Sequence, residues 1–366
     1  MIDVTGSDGI AINAESLLKG THETGNFVGR AMAATFGWRP SRRWDQLTSF
    51  LLSPQDNAGL VWFRVGFGLL TAFWALTYLS AGRISTLFRP GQFHFTYVGF
   101  QWVKPWSPTG MTLQFVVMML SGLLIATGAV YRAATLVFAV CFTHFFLFDK
   151  TSYQNHYYLI CLLSWLMCLL PANRACSIDV LNGSVRLERE APRWTLWLLR
   201  FHIAVPYIYG GFAKFEADWL SGVPMQNMLA SRKWPDALAP LLQSSIAADL
   251  LTWGGLAFDL LIVPLLMWRK TRILAFSLSI VFHLSNAFLF PIHVFPWFMI
   301  FATTIFFPPA SLQRFLPFLN SQPLRQAEAH PVRLRRTTGF VVPVLAVWCL
   351  FHLAWPFRHF AFEGPA

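Results

Sequence analysis

The stretch "MTLQFVVMMLSGLLIATGAV", residues 111–130, runs for twenty residues without a charge. A helix needs about 20 predominantly apolar residues to cross ~30 Å of hydrocarbon. It also satisfies its own backbone groups there, which irregular chain does not. The run therefore reads as a transmembrane helix, and the chain repeats the pattern on both sides of it. Comparable runs lie at 57–78, 133–148, 157–170, 194–212, 246–268, 273–290, 294–307 and 340–357. That makes about nine spans, of which 157–170 and 294–307 are short enough to be re-entrant or deeply buried segments instead. Pro206 and Pro264 fall inside spans, where neighbouring helices re-satisfy the freed backbone groups.

The composition agrees. Of 366 residues, 55% are hydrophobic, 16% aromatic and only 12% charged, with a mean hydropathy of +0.48. A soluble domain carries roughly 25% charged residues, so this chain lacks the charge to solvate a globular surface. The fold class expected is all-α, a polytopic transmembrane helical bundle. It divides into an N-terminal segment (1–56), a transmembrane domain (57–310) and a last section (311–366) made of a loop, a final span and a short tail.

The net charge is +11, and its distribution is informative. Eighteen Lys and Arg fall in the N-terminal segment and the loops on its side, against eight on the other side, with Arg64 and Arg200 inside spans. The positive-inside rule then puts the N-terminus in the cytoplasm and the C-terminus outside. A nucleic-acid surface accounts for the total charge but not for its alternation, so no nucleic-acid partner is expected. Residues 1–45 show no apolar core of a cleavable signal peptide. The stretch Trp38–Leu52 fits a short amphipathic helix on the inner membrane surface. None of the five cysteines falls in an outer loop, and no disulfide is expected.

Three polar clusters then meet on the outer side of the bundle: "DKTSYQNH" (149–156), "GGFAKFEADW" (210–219) and "FHLSNAFLFPIHVFPW" (282–297). Ionisable groups at a membrane are costly and mark function by default. Lys214 follows an apolar helix end; loss of hydration favours the neutral amine, a competent general base. A lysine snorkelling to the interface and pairing with Glu216 or Asp218 explains the same residues, and the sequence leaves both readings open. His156 can move a proton or hydrogen-bond a developing oxyanion, although a satisfied histidine at a helix start is the ordinary account. His283 and Asn286 share a helical face, where interhelical hydrogen bonding is the plain alternative. No HExxH or CxxC spacing is present, and scattered histidines are a weak metal signal, so no metal is expected.

The motifs carry a resemblance. "LFDKTSYQNHYYL" is similar to the DKTSxxNH signature of vitamin K-dependent gamma-glutamyl carboxylases and their bacterial relatives, and "GGFAKFEADW" resembles the family's Gly-x-x-Lys-x-x-x-Asp-Trp stretch. The likeness begins at "WFRVGFG", continues through "TWGGLAFDLL", "FHLSNAFLF" and "FPW", and covers roughly 57–310. It implies an enzyme that couples oxygenation of vitamin K hydroquinone to its epoxide with carboxylation of glutamate. Its co-substrates would be dioxygen and carbon dioxide, and its partners the bilayer, a lipophilic quinol and a glutamate-containing peptide. In such enzymes a strongly basic alkoxide removes the glutamate γ-proton. By this resemblance Lys214 is the base that activates the hydroquinone and His156 stabilises the reacting intermediate. Asn155, Asp149, Glu216, Asp218, Trp219, His283 and Asn286 are the neighbours expected to orient these groups or bind substrate. The location implied is a bacterial inner membrane with the site facing outward.

Two local departures stand out: Tyr153–Gln154 inside the first motif, and His293 where relatives carry a small residue. Full-length carboxylases also continue into a large outer domain that handles the protein substrate, whereas this sequence ends at "PFRHFAFEGPA". The expectation is a reaction biased toward epoxidation, or a partner subunit that supplies the outer domain. The reading from a different class is a non-enzymatic membrane maturation or transport factor with the same transmembrane domain.

Overall fold

The computed structural model describes residues 42–88, 93–290, 292–316 and 338–354. Its long helices are α1 (Arg42–Leu52), α2 (Ala58–Ser80), α3 (Pro108–Thr127), α4 (Tyr131–Leu147), α5 (Asn155–Leu169), α6 (Arg193–Ala213), α7 (Ser245–Met267), α8 (Arg272–Leu289), α9 (Phe295–Thr303) and α10 (Thr338–Ala354). Helical turns fill most of the connections, and strand is limited, among the described residues, to Pro54–Asp56 and Glu190–Pro192. Residues 1–41, most of the expected N-terminal segment, lie outside the described residues. So do Trp38 to Ser41 of the expected surface helix, and 355–366, which include the end of the last expected span and the tail.

Each of the nine predicted runs falls on a helix, but the helices are not equal. By length and composition, α2, α3, α7 and α8 are each long and apolar enough to cross a membrane. The helices α4 and α5, α9 with its 3-10 continuation, and Val342–Ala354 are apolar but shorter. The helix α6 has 21 residues, yet it begins at Arg193, and Arg200 and His202 interrupt its apolar run. The protein is thus a helical integral membrane protein with four self-sufficient candidate spans among the described residues, and a count of nine leans on helices whose lengths do not establish it.

The chain divides into two compact units. In the smaller, whose described residues are 42–55, 192–194 and 338–354, α1 packs with α10. There the Arg193 guanidinium sits 4.4 Å from the centre of the Phe50 ring, and the Arg193 N–H donates to the Ser53 carbonyl at 2.9 Å.

The larger unit holds α2 to α9. Local chemistry sets its helix ends: Ser107 accepts from the Gly110 N–H ahead of Pro108, and Ser244 accepts from the Ala247 N–H ahead of α7. Both are serine caps on orphan N–H groups. Gly128, with φ +66, closes α3, a left-handed end that glycine adopts without strain.

The tightest packing joins α2 to α3. A Cβ on Gly122 would stand 2.8 Å from the Gly68 carbonyl oxygen and 2.9 Å from the Ala72 nitrogen. Gly68 with Ala72 and Gly122 with Ala126 make a small-xxx-small contact that lets two backbones touch. Beside it, the Phe301 ring occupies the space a side chain on Gly66 would need. Toward the other end of α2, Trp74 and Tyr78 pack among Phe115, Phe142 and Phe145, and the Tyr78 and Tyr157 hydroxyls share a buried hydrogen bond of 2.8 Å.

Arg64 lies inside α2 and is 1% exposed. Its guanidinium donates to the carbonyls of Ala172 (3.2 Å), Ala175 (3.4 Å) and Cys176. The loop that offers them is held in turn by Asp179, which accepts from the N–H groups of Val130 (2.7 Å) and Tyr131 (3.1 Å) and from Asn173 (2.8 Å). A charge that an apolar span should not tolerate is thereby matched by backbone oxygens.

Candidate functional site

The glycines of "GGFAK" explain where Lys214 goes. A Cβ on Gly210 would lie 2.9 Å from a carboxylate oxygen of Asp259, and one on Gly211 would strike Leu260. Without those Cβ atoms, α6 comes close against α7, and Lys214, just past the end of α6, reaches down to Asp259. The ammonium and the carboxylate form a direct ion pair. Asp259 is 6% exposed, whereas 18% of the lysine side chain remains accessible. The Trp219 ring stands 5.4 Å from the amine, a cation–π distance.

This corrects the sequence reading. The partner of Lys214 is neither Glu216 nor Asp218, which are both exposed, but a carboxylate 45 residues on. The signal was present in "TWGGLAFDLL": a lone aspartate inside an apolar run, which needs a partner. Transfer of the shared proton to Asp259 leaves a neutral amine on Lys214, so the pair can present a base in a setting of low polarity.

His156 sits in the first turn of α5. Its ring stacks on Phe295 of α9 at 4.8 Å and 25° and meets the Tyr157 ring edge-on at 4.5 Å. It lines a small cavity together with Trp74, Tyr157, Phe295, Phe298 and His293. The free space is ≈ 10 Å³, about enough for one water. His293 precedes α9 in a left-handed conformation with φ +50. Burial and then the Arg83 guanidinium lower its pKa below the ordinary histidine value, so at neutral pH it is an imidazole with one donor and one acceptor nitrogen.

His283 of α8 is 2% exposed and shares a 2.7 Å hydrogen bond with the Tyr207 hydroxyl of α6. Its other nitrogen has no partner among the described residues. Its ring lies 6.4 Å from Phe295, so His156, Phe295, His283 and Tyr207 form a continuous line of contacts. Lys214 does not line the His156 cavity, and no described hydrogen bond joins the two. Asn286 is half-buried one turn beyond His283, and Asn155 is exposed at the start of α5. No group of three or more potential metal ligands is gathered among the described residues.

Asp149 is the motif residue whose placement is plainly structural. It caps the turn Lys150–Ser152, accepting from the Thr151 N–H (2.9 Å) and hydroxyl (2.7 Å), and it pairs with His94 at 3.0 Å. The neighbouring Lys150 N–H donates to the Phe95 carbonyl at 2.6 Å. These contacts fasten the loop 93–106 to the α4–α5 turn. Burial alone pushes the Asp149 carboxyl up, yet the hydrogen bonds from His94 and Thr151 outweigh it and hold it below the ordinary carboxylate range. A carboxylate depressed in the folded state contributes stability above its unfolded value, about pH 4, and loses that contribution as pH falls through the lowered value. A nitroxide on residue 98, where Val98 is 94% exposed, should therefore gain mobility only below about pH 4. With Asp149→Asn it should be mobile already at pH 7. Equal mobility of the wild type and the Asp149→Asn variant at pH 7 would contradict the latch.

No solved structure matches the chain. The HTTM domain model matches residues 52–310, close to the 57–310 read from the motifs. The chain therefore belongs to the HTTM-domain family, HTTM being the transmembrane domain of vitamin K-dependent gamma-glutamyl carboxylases and related proteins.

Proposed function

We propose that this protein is a membrane enzyme that oxidises a vitamin K-type hydroquinone with dioxygen and couples the oxidation to carboxylation of a glutamyl side chain by carbon dioxide. The observation that carries the reading is the Lys214–Asp259 pair, an amine held against a buried carboxylate at the motif position of the family's base. In this reading Lys214 takes the hydroquinone proton, Asp259 holds the amine in place, and His156 hydrogen-bonds a ring oxygen. The quinol supplies the oxidisable ring. The aromatic walls around His156 fit such a ring, although ≈ 10 Å³ admits it only as Phe295 leaves the imidazole face. No metal, no nucleic acid and no further cofactor enter the scheme. A partner subunit that presents the glutamyl substrate is compatible with it.

The test is incubation of the purified protein in nanodiscs with reduced vitamin K, with and without oxygen, followed by epoxide detection. Oxygen-dependent epoxide supports the enzyme. A closed ion pair and a nearly filled cavity also suit a non-enzymatic membrane maturation or transport factor, and absence of epoxide would leave that reading in place.

The proposed setting is a bacterial inner membrane with the Lys214 side facing outward, supported by the alternation of Lys and Arg between loops. Single cysteines in 213–245 should label from outside with an impermeant thiol reagent, and those in 174–193 only from inside. The reverse pattern would overturn the orientation.

A further inference from the structure

His156 and His293 enter one cavity from different elements, the first turn of α5 and the turn before α9. His293 is one of three non-glycine residues with positive φ among the described residues. A side chain kept in that sparsely populated region, at the wall of a cavity, is a candidate for function. The rings of Trp74, Tyr157, Phe295 and Phe298 line the cavity with the two imidazoles, beside Leu70 and Ile160. Arg83 adds positive charge on the His293 side. Two histidines alone fall short of the three protein ligands of a catalytic zinc site, and aromatic walls do not suit a hydrated ion. What fits is a flat apolar ring that carries an oxygen within reach of the imidazoles.

We propose that His293 is a second ligand-contacting residue of this cavity, so that the two imidazoles together hold one ring oxygen of a lipophilic quinol and leave the other to Lys214. The assignment rests on the quinol reading above. It adds a polar contact on the α8–α9 turn, where a small residue offers none.

Glycine at 293 separates the side chain from the backbone, because glycine accepts positive φ without strain. In nanodiscs, His293→Gly is expected to keep or raise the Tm while weakening binding of menaquinone bearing a four-isoprene tail about tenfold, the loss of one hydrogen bond at the upper end of its usual worth. His293→Asn, which tolerates the same backbone and keeps hydrogen-bonding groups, should lose only about threefold, and it carries the test if the glycine variant folds poorly. Wild-type affinity in the glycine variant, or asparagine binding no better than glycine, would remove His293 from the site while leaving the quinol reading standing. If the wild type itself does not bind the menaquinone, the quinol reading fails and this assignment falls with it.

Discussion

Lys214→Ala is expected to lower epoxide formation at least about a hundredfold, since general-base catalysis supplies factors of that order or more. It should also destabilise the protein, because Asp259 is left buried without its cation. Removing one member of a buried pair costs about 3–5 kcal/mol. The low end applies here, as 18% of the lysine side chain is accessible. The two losses separate in a double variant: Lys214→Ala with Asp259→Asn should regain most of the stability and none of the activity. A small primary amine added to the single variant should restore part of the turnover, because the truncation opens space beside Asp259. Epoxide formation at the wild-type rate in the single variant would exclude Lys214 as the base. An additive loss of stability in the double variant would exclude the pairing.

The second large effect is expected at the α2–α3 crossing. Gly122→Leu places a branched side chain where even a Cβ lies 2.8 Å from the Gly68 carbonyl oxygen, and the obstacle is backbone rather than a movable side chain. Overpacking usually costs about 1–3 kcal/mol, and a contact that can relieve itself only by separating two helices should reach or exceed about 3 kcal/mol. The readout is the yield of monodisperse protein in detergent and its Tm. Gly254→Leu is the matched control, since nothing lies within 4 Å of a Cβ there. Equal behaviour of the two variants would show that the close approach is not needed.

Much of this architecture was legible because its causes are local. Apolar runs mark the helices, and Ser107, Ser244 and Gly128 punctuate them in ways that residue chemistry alone dictates. The site was legible in its parts and not in its pairings. Lys214 and Asp259 are joined across 45 residues by a packing that two glycines permit, and no periodicity carries that information. For the same reason Asp149, grouped with the reacting residues by its motif, turns out to fasten a loop through His94. His293 was visible only as a departure from a pattern, because its left-handed backbone and its place in the cavity wall belong to three-dimensional structure. Span count suffers from a related limit: α5 and α9 are held by neighbours, so their length says little about whether they cross.

Arg64 bears on the order in which this chain is made. Its acceptors lie 108 to 112 residues further along, so the first apolar helix reaches the insertion machinery long before the carbonyls that satisfy its guanidinium have been synthesised. An arginine at the centre of an isolated helix disfavours insertion by about 2.5–3.5 kcal/mol. Nearer the helix end, where Arg64 lies, the penalty is smaller, but it persists until residues 172–176 arrive. Stable lodging of the first helix is thereby tied to translation of the loop after α5, and a ribosome stalled before that loop leaves a helix that the bilayer holds only weakly.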